Sequence, residues 1–169
     1  MILTELVAVL GLISGVAGTV LGVLNFFRDR AAVEVSLQWD MAVTPGSGLD
    51  ARKLWAVITV TNVGRRPIFV SHAAIRLPKR APKAGPHSYL VAKDGIGGKT
   101  LTEGAPSQRY VITQDGMQEY AAYWRDMVAQ VSDSTGRIWK SRKLKKERIP
   151  SWAQKASSSL PGRGQVTDQ

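Results

Sequence analysis

The sequence predicts a mainly β protein with an N-terminal transmembrane α-helix, followed by an antiparallel immunoglobulin-like β-sandwich that carries one short helix. Three observations predict it. Residues 6–27 are uncharged and regularly interrupted by glycine. At Val33 the apolar period changes from helical to two. From 33 to 143, about seven short apolar runs alternate with turn residues, the pattern of a sandwich. A small β-barrel is the alternative, because periodicity does not separate the two. No internal repeat occurs.

At about 1.5 Å per residue, the stretch 6–27 reaches roughly 33 Å, slightly more than the ~30 Å hydrocarbon core of a bilayer. Gly11, Gly15, Gly18 and Gly22 would each cost about 1 kcal/mol in a water-exposed helix. In lipid the backbone has only itself to bond with, so glycine is tolerated there. A cleaved signal peptide would need a basic leading region and a shorter apolar core; residues 1–5 bring Glu5 and no base. A buried core helix is the other competitor. Arg28 and Arg30 follow the span directly, so the positive-inside rule places the N-terminus outside and the domain in the cytoplasm. Lysine and arginine number 23 against 13 acids, a net charge of +10. The absence of cysteine fits a reducing compartment.

The glycines belong to a longer stripe. Thr4, Ala8, Gly11, Gly15, Gly18, Gly22 and Asn25 alternate steps of four and three along one helix face. Gly11-x-x-x-Gly15 and Gly18-x-x-x-Gly22 match the small-residue pattern by which membrane helices pack closely, and Asn25 offers an interhelical hydrogen bond of about 0.6 kcal/mol. The stripe predicts a homo-oligomer; the alternative is that glycine is simply frequent in membrane helices.

Residues 28–32 read as a juxtamembrane linker. Val33, Val35, Leu37, Trp39, Met41 and Val43 then alternate with polar residues as a half-buried strand. A loop at 44–48 leads to a β-branched strand at 54–63, and Asn62, Gly64 and Pro67 turn the chain into a third at 68–77. Residues 78–86 are proline-rich and basic, an exposed loop. Apolar runs at 88–92 and 109–113 flank a glycine-rich stretch, 95–104, expected to be irregular. Between Gly116 and Arg125 a short helix is predicted, capped by Asp115 with Gln118, with Met117, Tyr120, Ala121 and Trp124 packed over an open end of the sheet. A hairpin at 127–132 and 137–142, turning at 133–136, completes the domain. From Leu144 to 169 the pattern dissolves into a basic segment and a disordered tail.

No residue pattern points to catalysis, to a cofactor or to a metal site. Gly97-Gly98-Lys99-Thr100 resembles the end of a phosphate-binding loop, but Lys93 stands where its first glycine belongs and no helix-forming sequence follows. His72 and His87 are the only histidines, and His72 reads as a partly buried strand residue. Ser71 and His72, as strand neighbours, face opposite sides. Asp40, Asp50 and Asp133 have no spacing for paired acid–base chemistry.

Two basic clusters remain: Arg76, Lys79, Arg80 and Lys83, and Lys140, Arg142, Lys143, Lys145, Lys146 and Arg148. Beside an anionic leaflet each such charge is worth about 1 kcal/mol. Trp152, just beyond the second cluster, is placed to seat at the headgroup level. Nucleic acid is the rival partner, though aromatics do not interleave with these charges as in single-strand binders. A merely solvated charged tail is the third reading.

Leu24-Asn25-Phe26-Phe27-Arg28-Asp29-Arg30 and Val60-Thr61-Asn62-Val63-Gly64-Arg65-Arg66-Pro67-Ile68 resemble segments of a loose group of uncharacterised bacterial proteins, some prophage-associated. These have one membrane span and a small β domain, so the resemblance implies architecture and bacterial membrane origin and no activity. The combined expectation is a single-pass membrane protein whose domain acts by binding or assembly. The alternatives are a membrane effector that perturbs the bilayer when its domain senses a ligand, and a nucleic-acid-binding protein.

Overall fold

The computed structural model describes residues 2–82, 88–143 and 148–158. The expectations for Lys83, His87, Lys145, Lys146 and residues 159–169 lie outside them. Helix α1 (Ile2–Arg28) contains the apolar stretch Thr4–Phe27, 24 residues with a mean hydropathy of 2.3, none of it buried. It is one helix, near the N-terminus, long and apolar enough to cross a membrane. The Asp29 amide donates to the Asn25 carbonyl at 2.8 Å, and the helix ends there.

The remainder is mainly β, in two antiparallel sheets stacked as a sandwich. One sheet holds β1 (Val33–Met41), β2 (Trp55–Asn62) and β5 (Gln108–Thr113), in the order β1-β2-β5. The other has the order β4-β3-β6-β7, from β3 (Ile68–Arg76), β4 (Tyr89–Leu101), β6 (Val128–Asp133) and β7 (Ile138–Lys140). Between them lie Leu37, Ile58, Val60, Val70, Ile75, Leu101, Ile112 and Val131, all buried. In β1, β2, β5 and β6 buried residues recur two apart, as in Val35 and Leu37 or Ala129 and Val131, so there the period of two in the sequence is the two-layer core in projection.

Four expectations change. The glycine-rich stretch 95–104 is irregular only in part: β4 runs through it to Leu101, paired with β3 across two register shifts. Ladder hydrogen bonding overrides weak β propensity there. Gly98 sits at φ 65° with the Phe69 ring over it, where a Cβ would collide. The shifts also move His72. Val70 points inward, the bulge beyond it changes the parity, and Ala73 and Ile75 fill the core. His72 is therefore exposed rather than partly buried.

The short helix at Met117–Asp126 is present as a 3-10 helix that buries Met117, Tyr120 and Trp124. Its cap is Gly116 at φ 80°, without a side-chain bond; the Asp115 carboxylate pairs instead with Lys53. Finally, the stretch 144–169, expected to be a basic segment followed by a disordered tail, contains helix α2 (Ser151–Ser158), packed on the 3-10 helix. Asp40, held at φ 58°, accepts the Ser151 amide at 2.8 Å and its hydroxyl at 2.6 Å. Trp152 and Ala153 are buried in the main core.

Candidate functional site

Antiparallel pairing brings three chain segments to the point where α1 ends. β1 runs away from the helix and β2 returns, so Asn62 stands opposite Val33 and the turn 63–67 lies at the helix exit. The β6–β7 turn is tied to the start of β3, the Ser134 amide donating to the Phe69 carbonyl at 3.1 Å. Arg30, Arg65, Arg66 and Arg137 thereby line one cleft of about 780 Å³ with Asn25, Phe26 and Asp29.

Both turns are organised by buried polar side chains. The Asn62 amide donates to the Arg66 carbonyl (2.9 Å) and the Leu101 carbonyl (3.0 Å), and its oxygen accepts the Gly64 amide (3.0 Å). The Asp133 carboxylate accepts the Thr135 amide, the Thr135 hydroxyl and the Arg137 amide, each at 2.8 Å. Burial alone pushes the Asp133 carboxyl up. The hydrogen bonds from Thr135 and Arg137 outweigh it and hold the group below its ordinary value.

The linker is fixed as well. The Ala32 carbonyl accepts the amides of Val63 (2.9 Å) and Gly64 (3.2 Å). A Cβ at Gly64 would collide with the Arg30 carbonyl and the Ala32 nitrogen, so only glycine permits this approach. The Arg30 guanidinium lies 5.0 Å from the Phe26 ring centre and 4.9 Å from that of Phe27, within cation–π range. Arg66 comes within 3.9 Å of Asp29, and Arg65 within 3.9 Å of Glu103. Arg28 belongs to the last turn of α1.

The residues singled out for anionic-surface contact lie elsewhere. Lys140, Arg142, Lys143 and Arg148 are exposed and line a trough of about 810 Å³ against β1 over residues 33–37. Lys143 is paired with Asp126 at 2.8 Å. Arg76 adjoins the same basic ridge in a smaller hollow with Lys140 and Lys143. Trp152 is not at the surface: it is 3% exposed, its ring centre 5.3 Å from that of Trp39, so it serves the core and not a headgroup layer. Along α1, the stripe from Ala8 through Gly11, Gly15, Gly18 and Gly22 to Asn25 is exposed, and a Cβ added at any of the four glycines would meet nothing within 4 Å.

Gly97-Gly98-Lys99-Thr100 lies inside β4, without the following helix that a phosphate loop uses. Among the described residues, no three of His, Asp or Glu gather in a way that could hold a metal ion. No family model matches the chain, and no curated protein matches it. The cleft of four arginines was not legible in sequence. Arg65 and Arg66 read there only as turn residues, and Arg137 lies some seventy residues further along.

Proposed function

We propose that this chain is a single-pass inner-membrane protein, of the bacterial kind its two motifs resemble, which presents its β-sandwich to the cytoplasm as a binding or assembly module without enzymatic activity. Copies associate through the face formed by Ala8, Gly11, Gly15, Gly18, Gly22 and Asn25. The observation that supports this reading is the wholly exposed apolar surface of Thr4–Phe27. A helix apolar all round belongs in lipid or inside other protein, and the sandwich does not cover it. Glycine leaves its face open to a second helix.

Orientation rests on the arginines. Arg28 and Arg30 close the span, and Arg65, Arg66 and Arg137 stand beside it on the domain side, the distribution that favours retention in the cytoplasm. A C-terminal alkaline phosphatase fusion should therefore stay inactive while a fluorescent-protein fusion fluoresces. The reverse pattern would place the domain outside. Release of the protein from membranes by alkaline carbonate would remove the span itself.

A further inference from the structure

We infer that the arginine cleft at the end of α1 binds the phosphate of an anionic lipid headgroup, so that the sandwich is seated on the bilayer surface as well as tethered to it. The inference rests on the membrane reading above and assigns a ligand to a site that reading leaves open.

Three independent observations meet in this cleft. The first is charge: the guanidinium groups of Arg30, Arg65, Arg66 and Arg137 share it with the carboxylates of Asp29 and, through Arg65, Glu103, leaving an excess of positive charge. Both ion pairs measure 3.9 Å, at the outer limit of such contacts, so the arginine donors keep capacity for another acceptor. The second is construction. Arg65 and Arg66 lie within the turn held by the buried Asn62, and Arg137 closes a turn held by the buried Asp133. These backbones are ordered before any ligand arrives, which lowers the entropy cost of binding.

The third observation is depth. Phe26 and Phe27, which flank Arg30, end the apolar span, so the cleft opens at the level where hydrocarbon gives way to headgroups. Ile138, the chain neighbour of Arg137, is 53% exposed. Apolar side chains beside arginines suit a layer that is apolar on one side and phosphate-rich on the other. The trough at Lys140, Arg142 and Arg148 has the charge, but no residue of α1 lines it.

The test uses the full-length protein in mild detergent with graded phosphatidylglycerol or phosphatidylcholine, with retained lipid counted by native mass spectrometry. Wild type should keep phosphatidylglycerol in preference to phosphatidylcholine. At about fivefold per arginine near an anionic headgroup, the triple variant Arg65→Gln, Arg66→Gln, Arg137→Gln should bind phosphatidylglycerol about a hundredfold more weakly. Lys140→Gln with Arg142→Gln and Arg148→Gln should leave it unchanged. Equal retention by wild type and the cleft variant, with both inserted by carbonate extraction, overturns the site alone. So does loss of retention on changing the trough only. Inorganic phosphate that displaces the lipid at equal concentration would transfer the cleft to a soluble anion and overturn the lipid assignment. Release of wild type by carbonate would overturn the membrane reading and the site with it.

Discussion

Asn62 and Asp133 are each 9% exposed, and each directs its side chain at the backbone of its own turn. A buried polar group without partners is costly; here the partners are the amides and carbonyls that give each turn its shape. The Asp133 carboxyl is lowered in the fold, so it adds stability above its unfolded value of about 3.9 and loses that contribution as pH falls below it. Acid unfolding of the full chain in detergent, followed by tryptophan fluorescence, should show this loss below about pH 4. Asp133→Asn should flatten that limb and lower stability at pH 7 by about 1–3 kcal/mol. An unchanged acid limb would mean that the turn holds without the carboxylate. Asp133 was visible in sequence as a turn residue, but its bonds to Thr135 and Arg137 were not. His72 is exposed for a related reason: strict alternation in the sequence carries no notice of the bulge between Val70 and His72.

Among elements, α1 and α2 mark the two extremes of legibility. α1 could be read from residues 6–27 alone, because twenty-odd uncharged residues have few other stable fates. Its glycine face leads to a direct expectation. Gly15→Leu with Gly18→Leu should abolish crosslinked oligomers in membranes, since leucine holds the helices apart where glycine admits close contact. Unchanged crosslinking would reduce the stripe to composition. α2 has eight residues, too few to be stable by themselves. It exists because Pro150 starts it, Asp40 accepts its first amide, and Trp39 meets Trp152. Two of those partners lie over a hundred residues away in β1. Trp152→Ala should accordingly destabilise the domain by about 3–5 kcal/mol in urea unfolding, and an effect below 1 kcal/mol would mean that the helix docks without contributing to the core.

On the scale of the whole molecule, the +10 charge is not evenly spread. One part borders the helix exit in the arginine cleft, and another lies along the flank from Arg76 through Lys140 to Arg148. The four residues between α1 and β1 are no loose tether, because Ala32 is bonded to the β2–β3 turn and Gly64 packs beneath Arg30. The end of the sandwich that carries the arginines therefore stays at the end of the span.

By itself the sequence determined everything that depends on neighbours in the chain: the length and polarity of α1, the alternation of β1, the places of β2, β3, β5 and β6, and the glycine stripe. Those follow from local periods of 3.6 and 2 and need no partner. Tertiary structure alone decided what depends on pairing register and burial. It carried β4 through its glycines, turned His72 outward, took Trp152 from the surface into the core, and gathered Arg30, Arg65, Arg66 and Arg137 at one point. These are contacts between residues far apart in sequence, and strand register fixes them only when the whole sandwich closes around one core.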